Sequence, residues 1–178
     1  MRIRYRARQF WQALRATPAP EDLDLARQVL SPAQMDLFLK LQPNEQVHSL
    51  KIYRQLYHLY PLEKDLLVAA LLHDVGKTAY PLRLWERVWI VIAKAILPAK
   101  VSEWGRAEPR GWKRPFAIAE QHAGWGAGLA ANAGASTTSV NLIRRHQQTI
   151  HLHNSHNATA ATVEDQLLYR LQLLDNES

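Results

Sequence analysis

An all-α fold is predicted by three features of the chain. Prolines stand where helical periodicity stops, apolar residues recur at i, i+3, i+4 and i+7, and no run alternates apolar with polar residues between hairpin turns. With 178 residues, 47% hydrophobic and 21% charged, the chain is long enough to bury one real core.

The elements follow in order. A basic helix is expected over about residues 5–16, ended by Pro18 and Pro20. Ser31 is a cap candidate, with Pro32 at an early helical position. Pro43 opens a helix running to Tyr60, and Pro61 closes it. Residues 66–77, LLVAALLHDVGK, are apolar almost all round, so this helix should be buried, with Gly76 terminating it. Pro81 precedes a helix through Leu97, which Pro98 stops. Residues 98–115 then form a long connection that mixes Lys100, Arg106, Arg110, Lys113 and Arg114 with Trp104 and Trp112. It reads either as a solvated loop anchored by two tryptophans or as a lid over an anionic substrate. Pro115 opens a helix that ends near Gly134, Ser136 caps a short one to about Gln148, and the last runs from about Thr159 to Asp175.

Composition narrows the chemistry. The chain has no cysteine, which excludes disulfides, iron–sulfur clusters and thiolate zinc sites, so any metal must be held by histidine, carboxylate and water. A net charge of +6 points to anionic partners such as phosphates, and no nucleic-acid reader motif accompanies it, so specific nucleic-acid binding is not expected. No apolar run is long enough to span a bilayer, and the run Val88 to Ala93 is interrupted by Lys94. Arg2, Arg4, Arg6, Arg8 and Arg15 precede no apolar signal region, so no transmembrane segment and a cytoplasmic location are expected.

The core helix ends by presenting His73 and Asp74 side by side. Burying an ionised aspartate costs several kcal/mol or more without a compensating cation or hydrogen-bond network, and a metal is the simplest compensation. Four other helical stripes carry a similar misfit. His48 lies with Ile52, Leu56 and Leu59, His122 with Ile118, Trp125 and Leu129, His146 with Leu142, and Asp175 with Leu168 and Leu171. Any one of these is more often a hydrogen-bonded core residue than a ligand. Five separate helices each aiming such a residue inward suggest a shared target. The tract HLHNSHN, residues 151–157, has no apolar stripe behind it and reads as a solvated loop, and His58 reads as an ordinary helix-surface residue.

The order His48, then His73-Asp74 within HDVGK, then a distant Asp175 resembles the HD superfamily of metal-dependent phosphohydrolases. The additional His122 and His146 resemble its two-metal members, although nothing reproduces the GYP-type extension of the cyclic-di-nucleotide phosphodiesterases. The resemblance implies an all-α HD domain over residues 43–178, with residues 1–42 a helical extension packed on it. It implies that His48, His73, Asp74 and Asp175 hold one ion and that His122 and His146 hold a second, with Asp74 bridging. The expected cofactor is two divalent transition-metal ions, iron or manganese favoured and cobalt, nickel or zinc allowed by the imidazole–carboxylate donor set. The expected activity is hydrolysis of a nucleotide or other small phosphate ester by a hydroxide activated between the ions, in which Asp74 and Lys77 are catalytic. Lys77 is expected to contact a phosphate oxygen, with Arg83, Arg144 and Arg145 as further phosphate-binding candidates. Two alternatives stay open: a di-iron oxygenase of similar ligation, and a non-catalytic signalling or scaffold domain. Oligomeric state is not readable from the sequence.

Overall fold

The computed structural model describes residues 16–148 and 162–177. Among them are nine α-helices, two short 3-10 segments and no strand. The helices are α1 (Pro20–Val29), α2 (Pro32–Leu39), α3 (Pro43–Leu59), α4 (Lys64–Leu72), α5 (Leu84–Ile96), α6 (Pro98–Gly105), α7 (Arg114–Asn132), α8 (Thr137–Arg145) and α9 (Val163–Glu177). Residues 5–15 of the basic helix expected over 5–16, and the tract 151–157, lie outside the described residues.

Proline opens more helices than the sequence reading allows. Pro20, Pro32, Pro43 and Pro98 each occupy the first helical position, where the missing N–H would have no helical partner anyway. Ser31 closes a capping box with Gln34, its backbone N–H donating to Gln34 Oε1 at 3.0 Å. Helix α7 ends at Asn132, near Gly134 as expected, and the φ of 76° at Gly134 permits the reversal. There Gly134 N–H donates to Ala131 O and Ala135 N–H to Ala130 O, both at 3.0 Å.

Helix α4 is the hub. Every residue from Leu66 to Leu72 is buried, and α3, α8, α9, α1 and α2 all pack around it. The main core joins Leu50, Ile52 and Leu56 of α3 to Leu142 and Ile143 of α8 and Leu168 and Leu171 of α9. Ala26, Leu30 and Phe38 of the α1–α2 region belong to the same cluster. The N-terminus of α8 is fixed to the first turn of α4, since Ser136 Oγ donates to Asp65 Oδ1 at 2.6 Å and Ser139 Oγ to the Asp65 carbonyl at 3.1 Å.

Two expectations are corrected. Residues 98–115 are not a structureless connection, because Pro98 starts α6 rather than merely ending α5, and a second 3-10 segment covers Gly111–Lys113. Val101 is buried, and Trp104 packs on Phe116 at 5.0 Å and edge-on to Trp112 at 4.9 Å, so the segment has a small core of its own. Gly76 does not terminate the core helix. That helix stops at Leu72, and Gly76 sits in the 3-10 segment Val75–Ala79 without a positive φ. It is needed for close approach: a Cβ there would lie 1.9 Å from the carbonyl oxygen of His122 and 2.6 Å from the nitrogen of Gly126. Backbone therefore meets backbone between this segment and α7, setting Asp74 beside His122.

No helix among the described residues is long and apolar enough to cross a membrane.

Candidate metal centre

The six ligand candidates named from the sequence come together. His48 projects from α3, His73 caps the C-terminus of α4, Asp74 follows it, His122 lies within α7, His146 caps α8, and Asp175 lies in the last turn of α9. They form two adjoining groups, His48–His73–Asp175 and Asp74–His122–His146, and within each group one potential ligand atom from every residue lies within 4.8 Å of the others. Asp74 joins the groups. Its Oδ1 is 3.1 Å from His122 Nε2 and its Oδ2 is 3.6 Å from His73 Nε2, so one oxygen faces each side.

Backbone carbonyls orient three of the imidazoles. The Nδ1–H groups of His73, His122 and His146 donate to the carbonyls of Ala70, Ile118 and Ile143 at 2.9, 3.0 and 2.7 Å. A neutral ring held in this way turns its Nε2 lone pair inward, the arrangement usual for a metal-bound histidine. At His73 and His122 this Nε2 is buried without a hydrogen-bond partner. At His122 it also faces a carboxylate oxygen, which places two acceptors against each other. A cation between them resolves that conflict, which an apolar core does not.

The electrostatics agree. Burial by itself would raise the Asp74 carboxyl, yet the Lys77 ammonium, His73 and His122 outweigh it and hold it well below the usual carboxylate range. Burial would likewise raise Asp175, and the hydrogen bond from His48, with the His73 imidazole 3.6 Å away, pulls it down instead. His48 Nε2 and Asp175 Oδ1 are 2.9 Å apart. For His73, burial opposes protonation, but Asp74 and Asp175 prevail and raise it. Burial first, then the neighbouring His73, pushes His146 down to about 3, so its ring stays neutral and ready to ligate near neutral pH. Both carboxylates are thus ionised and concentrate negative charge in a buried space.

Of the remaining candidates, Lys77 is at the centre, its Nζ 2.5 Å from Asp74 Oδ2, where it supplies the positive charge that an ion would supply. Arg145 has a different task. Its guanidinium bridges Glu164 at 2.8 Å and Asp165 at 2.6 Å, tethering α9 to the end of α8, so it is committed to carboxylates rather than directed at a substrate. Arg83 is exposed at the start of α5 and does not line the pocket over the centre; Arg144 lines a separate surface depression with Trp125. His58 is exposed.

A pocket of about 580 Å³ opens over His48, Asp74, Lys77 and His122. Three cations missed in the sequence, Lys51, Arg87 and Lys94, line it, and Leu82, Ile90 and Val91 give it an apolar wall. Arg87 is held by Glu45 Oε1 at 2.7 Å and Gln42 Oε1 at 2.6 Å. The signal was present but faint: Lys51 is three residues beyond His48 on the same helical face, and Arg87, Ile90, Val91 and Lys94 follow i, i+3, i+4, i+7. A small anionic molecule with an apolar portion fits such a lining.

Comparison of the chain with protein-family models, with curated proteins and with solved structures finds no match in any of the three.

Proposed function

We propose that the chain is a metal-dependent phosphohydrolase of the HD-superfamily type, acting on a nucleotide or another small phosphate ester. The observation that carries this reading is the pair of buried, unpartnered Nε2 atoms of His73 and His122, turned toward the two oxygens of an ionised Asp74. His48, His73, Asp74 and Asp175 would hold one divalent ion, and Asp74, His122 and His146 a second, with iron or manganese favoured for this donor set. Such ions supply Lewis acidity toward a phosphate oxygen and lower the pKa of water.

The chain's own residues do the rest. The backbone-anchored imidazoles keep their lone pairs aimed inward without reorganisation. Asp74 and Asp175 balance the charge of the ions from a buried position. Lys77 lines the pocket beside Asp74, and with Asp74 engaged as a ligand its ammonium would meet a phosphate oxygen as a point charge. Lys51 and Lys94 attract the remaining anionic groups, while Leu82, Ile90 and Val91 receive the organic part.

The test uses metal-stripped protein reloaded with Mn²⁺ or Fe²⁺ and a panel of nucleoside mono-, di- and triphosphates with aryl phosphate mono- and diesters. Phosphate release should depend on metal and fall by more than about a hundredfold in His73→Ala and Asp74→Ala. Full activity and metal content in those variants would exclude the assignment. Oxygen consumption by the iron-loaded protein without phosphate release would replace it with oxygenase chemistry.

A further inference from the structure

Among the described residues, α5 carries a cluster of exposed apolar side chains. Trp85, Val88, Trp89, Val91, Ile92 and Ile96 all face outward, with Trp85 56% and Ile96 69% exposed. At about 100° per residue they sweep an arc of roughly 160° around the helix, a continuous plateau rather than scattered residues. Water-facing plateaus of this kind mark contact surfaces.

We propose that this face of α5 docks on an anionic lipid bilayer, lying in its surface. Charge points to that occupant. The exposed Arg83 and Lys94 fall within about 20° of one another on the helical wheel, with the Glu45-paired Arg87 alongside, and form a basic edge beside the apolar arc. The sole acid of α5, Glu86, is buried and paired with Arg114, so the helix shows the exterior no negative charge. A second copy packed antiparallel on this face would set that cationic edge against its own. An anionic surface complements it, as does the overall charge of +6.

The aromatic content fits the same place. Tryptophan prefers the headgroup level, and exposed Trp85 stands at one end of α5. Trp89 continues through Phe116 and Trp104 to Trp112, whose ring carries the Lys113 ammonium at 5.4 Å. The thirteen residues of α5 cover about 20 Å, too short to span a bilayer and suited to lying on one. Arg87, Val91 and Lys94 also line the pocket, so docking sets the pocket mouth at the edge of the membrane contact.

The experiment is flotation of the full chain with vesicles of phosphatidylcholine alone and of phosphatidylcholine mixed with phosphatidylglycerol. The protein should float with the mixed vesicles, less so with the neutral ones, and binding should weaken with salt. Trp85→Ser/Ile96→Ser should lower partitioning by at least about tenfold. Arg83→Gln leaves the apolar face intact and should lower it about fivefold on anionic vesicles alone. Failure of the unaltered protein to float would overturn the proposal, and so would undiminished flotation of a correctly folded double variant. A dimer in sedimentation velocity that the double variant dissolves, without vesicle binding, would overturn it in favour of a second copy as the occupant.

Discussion

Replacing Lys77 with methionine tests the idea that the centre is built around a cation. Lys77 Nζ lies 2.5 Å from Asp74 Oδ2, and the Asp74 side chain is only 5% exposed. Removing one partner of a buried ion pair costs about 3–5 kcal/mol, because the remaining charge is left uncompensated. The Lys77 side chain is itself 21% exposed, so the lower end, about 3 kcal/mol, is the better figure for this site. In a chain of this length that corresponds to a fall in Tm of about 6–12 °C. The loss should be seen in chelator and should largely vanish with Mn²⁺, because the ion takes over the neutralisation of Asp74. Scanning calorimetry of wild type, Lys77→Met, Asp74→Asn and the double variant, each with chelator and with Mn²⁺, measures it. In chelator the double variant should regain most of the lost stability, since neither charge remains to be buried. Asp74→Asn should lose the Mn²⁺ stabilisation. Equal destabilisation of Lys77→Met with and without metal would refute the reasoning, because the lysine would then be acting through packing alone.

Two further outcomes follow from the packing around the site. Gly76→Ala places a methyl group against the His122 carbonyl, a rigid backbone neighbour, so the 3-10 segment must move and carry Asp74 with it. A loss of about 3 kcal/mol by calorimetry and weaker Mn²⁺ binding by titration are expected, and wild-type values for both would contradict the close approach. At the α8–α9 tether, hydrogen bonds from Arg145 and then Thr162 hold the Asp165 carboxyl below its ordinary value. A depressed carboxylate stabilises the fold above its unfolded value of about 3.9 and loses that contribution as pH falls through the folded one. The Tm gap between wild type and Asp165→Asn should therefore close as the pH is lowered from about 5 to 3; a gap independent of pH would show that Asp165 acts otherwise.

The candidate ligands were legible because each breaks a local rule. His48, His122, His146 and Asp175 are polar residues on stripes that the 3.6-residue repeat makes apolar, and a misfit that recurs on separate helices needs a common cause. The all-α class was legible for the complementary reason, since caps, prolines and periodicity all agree. The features that escaped depend on tertiary partners. Pro98 ends one helix and starts the next, and only the packing of Val101 and Trp104 shows that α6 follows. Gly76 looks like a terminator until the backbone of α7 is seen against it. Arg145 and Lys94 are both plain cations in the sequence, yet one is clasped by Glu164 and Asp165 while the other lines the pocket. Which role each takes depends on which helices become neighbours.

Asp175 rides on α9, the helix whose seat depends on the Arg145 fork and on Gln172, whose amide reaches the carbonyls of Arg145 and His146 at 3.2 and 3.0 Å. Ion occupancy and the seating of this helix are consequently two ends of one thermodynamic lever. Whatever pries the helix away would weaken the hold on an ion, and an ion filling the centre would clamp the helix by an equal free energy.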